Sequence, residues 1–189
     1  MQSGPRYPAW LRLFHNANLI LVLLMAASGL QIYNANPVFG GRQGLPFPLL
    51  VTLGGWLAGG RFWHFGLMGL YAFTLVAWLS LAVLLRPQRL ATVPMLLRGP
   101  AGSSVVARAA WANRLVFSLM LVVLAASLVS GVAMYKPASL WWLSSLFGSW
   151  SLLRIAHFAT LPLLLILGSW HVVLSRRIGG ERMLRAMTF

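Results

Sequence analysis

Residues 154–171 read RIAHFATLPLLLILGSWH. The segment is apolar enough for hydrocarbon, yet His157 and His171 stand near its two ends and Arg154 precedes the first. Fourteen positions separate the two histidines, so on an α-helix they fall within roughly 40° of one face and stand roughly 21 Å apart along the axis. That is most of the ~30 Å depth of a bilayer core, which puts one imidazole near each surface. The stretch predicts a membrane-spanning helix with a polar ring at each of two depths.

The rest of the chain agrees with a lipid environment. Of 189 residues, 59% are hydrophobic and 8% charged, and the mean hydropathy is +0.79, a profile that excludes an ordinary soluble domain. Apolar runs at 13–33, 62–85, 115–134 and 152–174 each approach the ~20 residues that a spanning helix needs. The first contains His15, Asn16 and Asn18 and is followed by further spans, so it is expected to be retained rather than cleaved as a signal. The predicted fold class is an all-α integral membrane protein, a four-transmembrane-helix bundle forming a single domain over 1–189.

Charge gives the orientation. Arg6, Arg12, Arg86, Arg89, Arg98, Arg108, Arg114, Arg176, Arg177, Arg182 and Arg185 flank the span ends that share a side with the N-terminus, and Arg42, Arg61, Lys136 and Arg154 do not. The positive-inside rule puts both termini and the connection between the second and third spans in the cytoplasm. The net charge of +14 is accounted for by topology and anionic lipid, and no nucleic-acid motif accompanies it. There is no cysteine, so the chain holds neither a disulfide nor a cysteine-ligated iron–sulfur cluster. The lone acid, Glu181, leaves no carboxylate pair for acid–base hydrolysis.

Two internal features recur. SGLQIY at 28–33 matches SGVAMY at 130–135, and RLFH at 12–15 matches RLVF at 114–117, both at an offset of 102 residues. Either a duplicated helical hairpin or chance in a narrow alphabet accounts for this; Phe117 stands where His15 stands. The outward segments LPFPLLVTLGGWLAGG (45–60) and ASLWWLSSLFGSW (138–150) are too short or too broken by Pro and Gly to span. Their tryptophans suit either the membrane interface or a docking surface for an outer subunit.

All four histidines fall near span ends. With the termini inside, His15 and His171 share the cytoplasmic level and His64 and His157 the outer one. A lone intramembrane histidine is ordinarily a hydrogen-bonding residue between helices. Two matched pairs suit the axial positions of haem iron, whereas zinc or copper sites want more donors than each level offers. Arg12, Arg61 and Arg154 each precede a histidine by three residues, one helical turn nearer the surface, where a guanidinium either pairs with an anionic propionate or snorkels to headgroups. Small residues at Ala26–Gly29, Gly66, Gly69, Ala125–Ser127 and Gly131 leave room for a flat macrocycle or for close helix packing. Pro162 frees the Phe158 carbonyl and is a candidate bend.

This placement of histidines resembles the bacterial di-haem b-type cytochrome family, which includes bacterial cytochrome b561 and the cytochrome subunits of Ni-Fe hydrogenase, formate dehydrogenase and thiosulfate reductase. The resemblance covers essentially the whole chain. It implies one haem b between His64 and His157 and a second between His15 and His171, quinone chemistry near the inner haem, and an extracytoplasmic partner carrying iron–sulfur clusters or another redox centre. The expected protein is a multi-pass electron carrier of the bacterial inner membrane, with Asn16, Asn18, Asn113 and Arg114 as candidates for quinone or proton contacts. The rivals are a stand-alone quinone-linked superoxide oxidase and a haem-free anchor or transporter.

Overall fold

A computed structural model describes residues 7–85 and 87–187; Arg6 and Arg86 lie outside the described residues. Among the described residues there is no strand. Helices are α1 (Ala9–Ala35), α2 (Leu57–Leu85), α3 (Val93–Arg98), α4 (Val105–Tyr135), α5 (Trp141–Ser145) and α6 (Trp150–Met187). Of these, α1, α2, α4 and α6 are long and apolar enough to cross a membrane, where only intrahelical bonding satisfies the backbone. Leu13, Leu23, Phe73, Val122 and Leu165 are each more than half exposed along these helices, as lipid-facing side chains should be.

The helices extend beyond the apolar runs because local capping, not hydropathy, sets their ends. α4 begins ten residues before the run at 115, where the Ser104 hydroxyl accepts the Ala107 N–H at 3.1 Å and an alanine-rich turn follows. Ser149 does the same for α6, accepting from Leu152 N–H at 3.2 Å. α6 keeps helical dihedrals through Pro162 and is interrupted instead at Gly180, whose φ of 60° only glycine adopts freely. Beyond it, Glu181 and Arg185 pair one turn apart at 3.2 Å.

The chain divides into two compact units, and each long helix contributes to both. One comprises residues 1–16, 77–125 and 162–189. Its core is Leu11, Trp78, Ala82 and Leu121, with Phe14, Phe117 and Met187 packed against them. The Met187 carbonyl accepts from Asn16 Nδ2 at 3.3 Å, which ties the end of α6 to α1.

The other unit comprises 17–76 and 126–161. Leu75, Leu153, Ala133, Ser28 and Ser130 are almost wholly enclosed in it. The connection between α1 and α2 is pinned to α1: Asn34 Nδ2 donates to the Phe47 carbonyl at 2.8 Å and Asn34 Oδ1 accepts the Phe47 N–H at 2.7 Å. Farther along, Leu53 N–H donates to the Ala27 carbonyl at 3.0 Å. Asn34→Ala removes both side-chain bonds and is expected to cost about 1–3 kcal/mol, read as a lower thermal midpoint in detergent and faster proteolysis within 37–53. An unchanged midpoint would mean that the connection is held by its other contacts.

Candidate functional site

His64 on α2 and His157 on α6 face one another in the second unit, their ring centroids 6.4 Å apart and their planes at 87°. Each ring is anchored through Nδ1. His64 Nδ1 lies 3.1 Å from the Met25 carbonyl and 3.0 Å from Ser28 Oγ. A carbonyl oxygen can only accept, so Nδ1 must carry the proton. His157 Nδ1 lies 2.9 Å from Ser130 Oγ. That hydroxyl spends its hydrogen on the Ala126 carbonyl at 2.6 Å, so it too accepts from an Nδ1–H. Both rings are thereby held as the tautomer whose Nε2 lone pair is available to a metal.

A glycine follows each serine and gives the ring edge its space. A Cβ on Gly29 would stand 3.4 Å from His64 Cε1, and one on Gly131 would stand 3.1 Å from His157 Cε1. Ser28–Gly29 and Ser130–Gly131 are the matched residues of the 102-residue offset. In sequence Ser28 counted only as a small residue and Ser130 not at all; the internal match is the signal that singles out both. Beside His157, Phe158 stacks on Tyr33 with centroids 4.8 Å apart and lies against Phe39 and Phe47, securing α6 to the pinned connection.

The first unit holds the other two histidines. His171 Nδ1 lies 2.9 Å from Asn113 Oδ1, an acceptor that again assigns the proton to Nδ1. The Phe117 ring lies 6.3 Å from the His171 ring. His15 meets Trp78 edge-on at 6.0 Å and lies within Coulomb range of His171. Its Nδ1 is buried, and the neighbouring Asn16 side chain hydrogen-bonds the residue. Of the residues expected near this pair, Asn113 holds His171, Asn16 holds Met187, and Arg114 Nη2 donates to the Leu90 carbonyl at 2.9 Å while its Nε stays buried. Asn18 turns away, donating to the Thr74 carbonyl at 3.3 Å in the second unit.

The three arginines differ in setting. Arg12 is half-buried on α1, and Arg61 is exposed one turn before His64. Arg154 donates through Nη2 to the Asn36 carbonyl, so it braces the α1–α2 connection as well as flanking His157.

The donor chemistry fits haem better than a bare ion. Among the described residues no group of three or more His, Cys, Asp or Glu side chains gathers, so a zinc or copper ion finds too few ligands. A macrocycle brings four equatorial nitrogens and asks the protein only for two axial imidazoles. With metal–imidazole bonds of about 2 Å, two axial rings have centroids roughly 6.3 Å apart, close to the 6.4 Å between His64 and His157. All four histidine residues are partly buried.

Comparison with known proteins agrees with this chemistry. The family model described as prokaryotic cytochrome b561 matches residues 6–189. A chain of Azospira oryzae named as the protein-methionine-sulfoxide reductase subunit YedZ1 is 43% identical over 68 residues, 35% of this chain and 31% of that one. The match thus spans about a third of that relative's length. No solved structure matches the chain significantly. The chain belongs to the prokaryotic cytochrome b561 family, and is a multi-pass inner-membrane protein that binds haem b and transfers electrons.

Proposed function

We propose that the chain is a di-haem cytochrome b subunit that transfers electrons between an extracytoplasmic redox partner and the quinone pool, with both termini in the cytoplasm. The observation that carries this reading is the His64–His157 pair, its ring centroids 6.4 Å apart in one unit, with His15 and His171 both lying in the other. Three of the four rings are held by an acceptor at Nδ1, leaving Nε2 for iron. Bis-histidine haem supplies one-electron exchange with no open coordination position, so oxygen chemistry at iron is not part of this function.

The chain's own residues do the remaining work. His64 with His157, and His15 with His171, would hold the haems, which when bound would supply one-electron exchange. Arg12, Arg61 and Arg154 would neutralise propionates, Arg154 doing so while tied to Asn36. Near His15 and His171, the buried Arg114 Nε and the amides of Asn16 and Asn113 are the polar groups offered to a quinone. The name of the Azospira relative, a subunit of a reductase, supports a redox partner for this chain as well. An iron–sulfur centre or another redox group would belong to that partner, since the chain has no cysteine.

The test is pyridine-haemochrome quantitation of the purified chain from haem-replete membranes, followed by addition of a ubiquinol or menaquinol analogue. Two haems b per chain with a low-spin spectrum, both reduced by quinol, is the expected result. One haem per chain would overturn the di-haem reading, and two haems inert to every quinol would overturn the quinone link.

A further inference from the structure

Serine in a membrane helix commonly returns its hydrogen to the carbonyl one turn back, and Ser28 and Ser130 do so, to Leu24 at 2.9 Å and Ala126 at 2.6 Å. That habit accounts for the donated bond alone. It does not explain why both hydroxyls, 0% and 2% exposed, also stand 3.0 and 2.9 Å from a histidine Nδ1. Nor does it explain why the next residue is in both cases a glycine packed on the Cε1 edge of that same ring. The two arrangements use corresponding residues of α1 and α4, 102 positions apart, and serve histidines on the next long helices, α2 and α6.

We propose that Ser28 and Ser130 are positioning residues: each, with the glycine after it, forms one copy of a repeated seat that fixes the tautomer of His64 or His157 and so tunes the haem between them. This rests on the reading that a haem b lies between those two histidines. An oxygen that accepts from Nδ1–H makes the imidazole a stronger donor to iron, favours the ferric state and lowers the potential. The other pair lacks the seat. His171 bonds the Asn113 amide oxygen and His15 has the Asn16 side chain as its partner, so neither ring meets a serine. The repeat therefore makes the two centres unlike in the groups that hold their ligands. In both copies a backbone carbonyl joins the serine at the ring: Met25 for His64, 3.1 Å from Nδ1, and Ser127, 102 positions farther on, for His157.

The experiment is redox titration of the α-band and ferric low-temperature EPR of the purified full-length chain carrying Ser28→Ala, Ser130→Ala or Ser130→Thr. Ser130→Ala should move one haem toward the ferrous state by about fivefold, the size of one ordinary hydrogen bond, or roughly 40 mV upward at 59 mV per tenfold. Ser28→Ala should move the same haem in the same direction, Ser130→Thr should restore the original potential, and the second haem should serve as an unmoved control in all three. Loss of only the first haem in Ser130→Ala, reversed by threonine, would equally support the seat. Unchanged potentials and EPR signals in Ser130→Ala would overturn it; if that variant does not accumulate, Ser130→Gly removes the same hydroxyl and is judged by the same readings. The underlying assignment fails by a different sign: His157→Ala retaining both haems would remove the haem from this pair whatever the serine variants do.

Discussion

His157→Ala is expected, on the proposed di-haem function, to cut haem from two per chain to one, leaving a low-spin spectrum from the remaining centre. Removing one axial imidazole leaves iron at that site with a single protein donor, and nothing nearby replaces it: no third His, Cys, Asp or Glu gathers there among the described residues. His64→Ala should behave alike, because its ring faces that of His157 with the centroids 6.4 Å apart. His15→Ala and His171→Ala should instead remove the other haem, so the four variants sort into two groups of two by spectrum and potential. Each histidine lies in one of two separate compact units, so loss of one centre should leave the other intact. Pyridine-haemochrome stoichiometry with redox titration reads this directly. If His64→Ala and His15→Ala removed the same spectral component, the pairing would be wrong.

Gly131→Val should abolish haem binding at the His64–His157 pair, Gly131→Ala should weaken it, and Gly29→Ala should be close to neutral. A Cβ at Gly131 would meet His157 Cε1 at 3.1 Å, tighter than ordinary packing, while one at Gly29 meets His64 Cε1 at 3.4 Å. His157 has little freedom to retreat, since Nδ1 is tied to Ser130 and its neighbour Phe158 is stacked on Tyr33. Valine adds two methyls beyond Cβ, and overpacking of this kind costs about 1–3 kcal/mol even before the ring is displaced from its ligating direction. Haem per chain, measured with the His15–His171 centre as internal reference, distinguishes a local effect from unfolding. Full occupancy in Gly131→Val would show that the ring does not need the position it holds here.

The features legible in this sequence are the local ones. Hydropathy located the spanning helices because exclusion from water depends on each residue's own side chain. It did not locate their ends: α4 reaches back to Val105 and α6 on to Met187, where Ser104, Ser149 and the turn at Gly180 decide. Pro162, a candidate bend in sequence, leaves the dihedrals helical, and the interruption falls at a glycine whose φ is positive. The histidines stood out because ionisable rings are rare in spans, and the His64–His157 pair is found at the separation that two axial ligands require.

What the sequence determined by itself was therefore the class of protein and the four polar rings within it, since both follow from composition and spacing along one chain. The tautomer of three of those rings was decided only by tertiary structure, because it depends on which oxygen of another helix or turn lies beside each Nδ1: Met25 and Ser28 for His64, Ser130 for His157, Asn113 for His171. The same holds for Asn113 and Arg154, which in sequence were candidates for proton transfer and propionate pairing and which in three dimensions also hold His171 and the Asn36 carbonyl. Hydrogen bonds between residues 27 to 118 positions apart leave no periodic trace, because the chain pattern records which face a residue occupies and not which neighbour meets it there.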